Sequence, residues 1–216
     1  MLAKTICMMI SGITYYRMNL PPKAGMDVSK TEDKFGRDGN YRVFYLIFAT
    51  QFAPVEAILF PVAYVYLMAR GALSPDLEPW MAIAVVLQWM GYALRLRAYT
   101  ELDRYFTYAI TIRRDHQLVV TGPYKYLRHP SYTGFMVAGI LFHMITVYGG
   151  LWEAVIYPMV GMHLPGYVAL SVFTIFYGMF VFPRIHYEEA MLSEHFGEKA
   201  WGKYASQRYR LFPFVY

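Results

Sequence analysis

The feature that most constrains the fold is a series of long apolar runs. Four of them approach the roughly 20 residues that cross a bilayer: residues 43–69, 79–94, 132–148 and 164–183. The shorter run 1–16 predicts a first span, although a cleaved signal peptide is an alternative. Charged residues make up only 16% of the chain, against about 25% in a soluble domain. The expected fold class is therefore all-α, an integral membrane helical bundle with about five transmembrane helices.

Basic residues are distributed unevenly between the two sides that five spans would create. Residues 17–42 carry six lysines and arginines, residues 95–128 carry seven and the tail from Arg184 carries five. Only Lys4 and Arg70 fall on the opposite side. Because basic loops stay in the cytosol, the three basic segments are predicted to be cytosolic. The net charge of +5 then reflects topology and a lipid bilayer as partner, and no nucleic-acid binding is expected.

Polar residues crowd against the start of the fourth apolar run, in the stretch GPYKYLRHPSYTGF. Gly122 and Pro123 are typical of a turn. Pro130 suits the first turn of a helix, where its missing N–H costs nothing, so the fourth span is predicted to begin there. Arg128 and His129 would lie at the positive end of that helix, a ready site for an anion. Alternatively, Arg128 reaches lipid phosphate and the tyrosines form an interfacial aromatic belt.

A second polar cluster, RIHYEEAMLSEHFGEKAWGKY, begins where the fifth apolar run ends. Arg184 and Glu188 are four residues apart, and Glu189 is adjacent. A surface salt bridge is the simple interpretation. However, arginine before glutamate is the less favourable order on a helix, and unpaired charge is expensive beside a bilayer. Both polar clusters lie on the predicted cytosolic face, where they could form one pocket.

These motifs together resemble one enzyme family. DHQLVVTGPYKYLRHPSYTG, the second cluster and RLFPF are similar to the isoprenylcysteine carboxyl methyltransferase family, from Arg104 to the C-terminus. Phospholipid N-methyltransferases share a looser version of the pattern. The resemblance implies a small helical membrane enzyme that uses S-adenosylmethionine (SAM) in a cofactor pocket on the cytosolic face. In eukaryotes it implies the endoplasmic reticulum.

The resemblance also implies roles for individual residues. The cofactor pocket would be lined by His116, Leu118, Val119, Tyr124, Arg128, His129, Tyr132 and Glu188. Arg184 would meet the acceptor carboxylate, and either Glu188 or Glu189 would close the pocket, so the catalytic candidates are these three. The chain has no strand-associated G-x-G-x-x-G motif, which argues against a soluble Rossmann methyltransferase.

The expected reaction is O-methylation of the C-terminal carboxylate of a prenylated cysteine. A carboxylate with a pKa of about 3.5 is already ionised in the cytosol, so it needs in-line placement and exclusion of water rather than a base. N- or S-methylation of a phospholipid, another lipid-like acceptor or a small molecule stays an alternative, and an ammonium acceptor would make a base useful. A sterol-reductase-like protein or a non-catalytic membrane scaffold is less favoured.

The chain is expected to divide into three parts. Residues 1–42 hold the first span and a polar loop, residues 43–98 hold spans two and three, and residues 99–216 hold the catalytic region with spans four and five and a C-terminal tail helix. The single cysteine excludes an internal disulfide, and the histidines lack metal-ligand spacing. Glu56, the one acid deep in an apolar run, suggests either a function or a structural partner.

Overall fold

A computed structural model describes residues 1–20, 53–106, 116–151, 154, 159 and 166–214. These residues form six α-helices: α1 (Leu2–Asn19), α2 (Ala53–Ala69), α3 (Pro79–Leu102), α4 (Pro130–Tyr148), α5 (Gly166–Phe196) and α6 (Glu198–Ser206). Short 3-10 helices cover Asp103–Tyr105 and Gly122–Lys125. The described part of the chain contains no β-strand, so the all-α expectation is confirmed.

Two of the described helices, α4 and α5, are long and apolar enough to cross a membrane. In the most apolar part of α4, 61% of the residues are buried, whereas only 28% of the residues are buried in the most apolar part of α5. Helix α4 therefore lies inside the bundle, and α5 presents most of its apolar surface outward. The count of five spans stays a prediction. Residues 43–52 of the predicted second span lie outside the described residues.

Two helix boundaries show how far local sequence controls the fold. Helix α4 begins at Pro130, with His129 as its N-cap, which confirms the predicted start. Helix α5 is longer than the fifth apolar run, because it continues through Pro183 to Phe196. Interior proline removes one backbone hydrogen bond and disfavours the helix, yet the helix continues here, so the second polar cluster begins on the same helix as the fifth apolar run. The separate tail helix, α6, starts only at Glu198.

Helix α1 is tied to the bundle by polar contacts with segments much later in the chain. Lys4 Nζ donates to the carbonyl of Ser74, in the loop between α2 and α3, at 2.9 Å. Ser11 Oγ donates to Gln88 Oε1 of α3 at 2.7 Å. The side chains of Lys4, Ser11 and Gln88 are buried. These bonds satisfy polar groups that would otherwise be costly in an apolar surrounding.

Arg95 connects three helices at the end of the bundle that carries the polar clusters. Its Nε donates to the carbonyl of Met18 in α1 at 3.2 Å, and its Nη1 donates to Ser131 Oγ in α4 at 2.9 Å. The guanidinium also lies over the rings of Tyr99 and Phe135. This buried arginine therefore fixes the first turn of α4 relative to α1 and α3.

Glu56 occupies a polar contact among four helices. Tyr15 Oη of α1 donates to Glu56 Oε2 at 2.9 Å, and His143 Nε2 of α4 lies 3.8 Å from the same oxygen. Tyr177 Oη of α5 donates to Tyr15 Oη at 3.4 Å. Of the two alternatives raised by the sequence, these contacts support a structural partner for Glu56.

Helices α3 and α4 approach closely at two glycines, Gly91 and Gly134. A Cβ at Gly134 would collide with the carbonyl oxygen of Gly91 and lie 2.9 Å from the backbone nitrogen of Arg95. We expect Gly134→Ala to lower the free energy of unfolding by about 1–3 kcal/mol through overpacking, measured by thermal denaturation in detergent. Gly202→Ala is the control, because a Cβ there meets nothing within 4 Å. Equal shifts in Tm for the two variants would contradict the close helix approach.

Candidate active site

The two polar clusters meet where the first turn of α4 contacts the last third of α5. His129 Nε2 lies 3.0 Å from Glu189 Oε1. Tyr132 Oη donates to Glu188 Oε1 and accepts a 2.7 Å hydrogen bond from Arg184 Nε. Arg184 Nε also lies 3.5 Å from Glu188 Oε1. Five of the residues singled out from the sequence are therefore joined in one network, which goes well beyond a surface pair of Arg184 and Glu188.

The two adjacent glutamates have different surroundings. Glu189 Oε1 accepts from Arg128 Nη1 at 2.9 Å and contacts His129, while its Oε2 accepts from Arg210 Nε at 2.9 Å. The Glu189 side chain is 9% exposed, whereas that of Glu188 is 25% exposed. Glu189 is thus surrounded by cationic partners within the protein, and Glu188 is the more accessible carboxylate for a ligand.

His129 lies between these carboxylates, with its Nδ1 3.6 Å from Glu188 Oε2 and its Nε2 facing Glu189. Burial lowers the pKa of His129, but the hydrogen bonds to Glu188 and Glu189 outweigh burial and raise its pKa above 6.5. At a given pH the imidazole is therefore more protonated than a free histidine. The greater protonation suits a cation held between two carboxylates. It also makes His129 less available as a general base, because a protonated imidazole cannot accept a proton.

The chain that follows α6 completes the site. The backbone N–H of Arg128 donates to the carbonyl of Tyr209 at 2.8 Å, and that of His129 donates to the carbonyl of Arg210 at 3.2 Å. Thr133 Oγ1 donates to the carbonyl of Leu211 at 2.7 Å. These bonds hold the C-terminal segment against the turn that precedes α4.

Arg210 is the member of the network that the sequence analysis missed. The segment RLFPF carries part of the family resemblance, but that resemblance implies no role for Arg210. No spacing in the sequence predicts the contact between Arg210 and Glu189, because that contact depends on how the chain folds back after α6. The available signal was the resemblance of RLFPF, which begins at Arg210, to a family motif.

The remaining predicted residues lie around this network. Tyr124 is buried in the 3-10 helix Gly122–Lys125, and its carbonyl accepts from Arg208 Nε at 2.8 Å. The ring of His116 lies 5.8 Å from that of Phe196, at the end of α5. Leu118 and Val119 are partly buried in the segment between His116 and that 3-10 helix. Their contribution to a cofactor pocket stays a prediction.

Comparison with known proteins points to one family. The model of the isoprenylcysteine carboxyl methyltransferase family matches residues 82–166, which include the first polar cluster. A probable protein-S-isoprenylcysteine O-methyltransferase from Oryza sativa subsp. indica is 27% identical over 153 residues, 68% of this chain and 70% of that protein. Protein-S-isoprenylcysteine O-methyltransferase B from Arabidopsis thaliana is 32% identical over 58% of this chain and 55% of its own. The Schizosaccharomyces pombe enzyme is 30% identical over 50% of this chain and 39% of its own. Residues 82–166, which carry the first polar cluster, are thus similar to the isoprenylcysteine carboxyl methyltransferase family.

Proposed function

We propose that this protein transfers a methyl group from SAM to the C-terminal carboxylate of a prenylated cysteine. The observation that supports this most directly is the contact of Arg184 and Glu188 with Tyr132 at the start of α4. A guanidinium beside a partly exposed carboxylate offers one group for an anionic acceptor and one for a cationic cofactor. The relatives named protein-S-isoprenylcysteine O-methyltransferases support the same reaction.

The chemistry of the site fits SAM. Carboxylates and aromatic faces bind sulfonium and ammonium cations, and carboxylates also accept hydrogen bonds from ribose hydroxyls. Glu188 is accessible, and Tyr132 lies beside it. We assign Glu188 to the cofactor, with the rest of the pocket formed by His116, Leu118, Val119, Tyr124, Arg128, His129 and Tyr132. SAM would supply an electrophilic methyl group there.

In the proposed mechanism, the protein holds the acceptor and needs no base. A C-terminal carboxylate is ionised at neutral pH, and N–H groups of Arg184 would orient it toward the methyl group. Methylation of an amine would additionally require a group that removes a proton. Packing of α4 against α5 would limit access of water.

The prenyl chain of the acceptor would reach the site from the bilayer. The network includes residues of α4 and α5, which among the described helices are the two that are apolar and long enough to cross a membrane. Membrane enzymes commonly place polar chemistry where such helices meet the interface. We therefore propose an integral membrane protein whose site faces the cytosol, at the endoplasmic reticulum if the cell is eukaryotic.

The test of this function is a choice of acceptors offered in parallel. Purified protein with methyl-labelled SAM is given a prenylcysteine analogue, phosphatidylethanolamine and a small thiol. We expect label mainly in a base-labile ester of the prenylcysteine. The same analogue with its carboxylate converted to an amide is the control and should remain unlabelled. Preferential labelling of the phospholipid or the thiol would contradict the proposal.

The proposed topology can be tested with single cysteines in a Cys7→Ser background. Ser74 lies in the loop whose carbonyl binds Lys4, and Ser206 ends α6; both are exposed. The positive-inside rule leads us to expect that Ser206→Cys reacts with a membrane-impermeant thiol reagent applied to the cytosolic side of sealed vesicles. Ser74→Cys should react only after the vesicles are opened. The reverse pattern would overturn the topology.

A further inference from the structure

Arg210 lies in the segment after α6, outside α4 and α5, the two helices that contribute to the site. Its Nε donates to Glu189 Oε2 at 2.9 Å, and its Nη2 donates to the same oxygen. The side chain is 19% exposed. Its backbone carbonyl accepts from the N–H of His129, so both its backbone and its side chain contact the network.

The imidazole of His129 contacts both Glu189 and Glu188. The Nε2 atom of the imidazole is 3.0 Å from Glu189, and Nδ1 is 3.6 Å from Glu188. Without Arg210, one oxygen of the buried Glu189 carboxylate would lose a charged partner. A buried charge that has lost a partner is strongly destabilising, and the cations that remain at Glu189 are Arg128, at 2.9 Å, and His129, at 3.0 Å. A shift of His129 toward Glu189 would take it away from Glu188.

We propose that Arg210 is a positioning residue for the cofactor site: by pairing with Glu189, it keeps His129 against Glu188 and so holds Glu188 in place for SAM. This inference rests on the proposed function, and it gives the C-terminal segment a part in cofactor binding. Arg210 would touch neither SAM nor the acceptor. Its effect passes through Glu189 and His129.

The experiment measures the SAM Kd of the full-length protein in detergent by calorimetry, together with the KM for the acceptor. Arg210→Gln should weaken SAM binding about tenfold and leave the acceptor KM nearly unchanged. Arg210→Lys, which keeps the charge, should lose less. Arg97→Gln is the matched control, because it breaks an arginine–glutamate pair on α3 away from the network. Its SAM Kd should equal that of wild type.

The double variant Glu189→Gln/Arg210→Gln separates positioning from simple stability. With the carboxylate neutralised, His129 is no longer drawn away, so SAM affinity should return to within about threefold of wild type. Additive losses in the double variant would overturn the role of Arg210. An unchanged Kd in folded Arg210→Gln, or in Arg210→Met if the former does not fold, would overturn it too. Failure of wild type to bind SAM would instead overturn the proposed function.

Discussion

Glu188→Gln is expected to weaken SAM binding by about a hundredfold, or roughly 2.7 kcal/mol. The amide keeps the size of the side chain but removes the charge that the proposed site offers to the cofactor's cationic groups. Charge-assisted hydrogen bonds contribute about 1.5–3 kcal/mol each, so loss of one or two gives this effect. Calorimetric titration of the ligand-free protein with SAM measures it directly.

Two further variants establish which carboxylate is responsible. Glu194→Gln removes an exposed acid from the same helix and should leave the SAM Kd unchanged. Glu189→Gln removes the acid that binds Arg128 and Arg210, so we expect it to reduce thermal stability more than SAM affinity. If Glu189→Gln weakens SAM binding more than Glu188→Gln does, the two roles are assigned the wrong way round.

Arg184→Lys should reduce turnover on a prenylcysteine acceptor by about a hundredfold while changing the SAM Kd by less than about threefold. Lysine keeps the positive charge but lacks the planar arrangement of N–H donors that matches a carboxylate. It also cannot reproduce the bond from Arg184 Nε to Tyr132 Oη with the same geometry. Initial rates at saturating SAM, combined with calorimetry, separate acceptor placement from cofactor binding.

Other outcomes for Arg184→Lys would point to other functions. If Arg184 only formed a surface pair with Glu188, Arg184→Lys would leave activity intact and change the free energy of unfolding by at most about 1 kcal/mol. An amine acceptor would not need Arg184, since like charges repel. Full activity of Arg184→Lys toward a carboxylate acceptor would therefore contradict its proposed role.

Local sequence rules predicted the parts of the site that depend on neighbouring residues. Pro130 signalled the start of α4 because proline is compatible with the first helical turn and with few other places in a helix. The spacing of Arg184 and Glu188 placed both on one helical face. Alternating membrane sides then put the two polar clusters at the same end of the bundle, where the structure brings His129, Tyr132 and the glutamates into contact.

Features that depend on the path of the chain were beyond these rules. Proline can end a helix or lie within it, so Pro183 could not show that α5 continues to Phe196. The ambiguity between Glu188 and Glu189 had the same origin, since adjacent residues on a helix point about 100° apart and only the packing of the helix decides which of them faces a ligand. Arg210 was missed because 21 residues separate it from Glu189 and no periodic pattern spans that distance.

The contacts of α1 have a consequence for how the protein enters a membrane during synthesis. Lys4 and Ser11 find their hydrogen-bond partners in Ser74 and Gln88, which leave the ribosome only later. Inserting a lone helix with a lysine is unfavourable, and α1 is not among the described helices that are apolar enough to span alone. If α1 is a membrane span as proposed, we expect its stable insertion to depend on arrival of α3. A helix that is translated before its partners would then be secured in the bilayer only after them, and mutations in α3 could act by disrupting biogenesis of a helix that they do not alter.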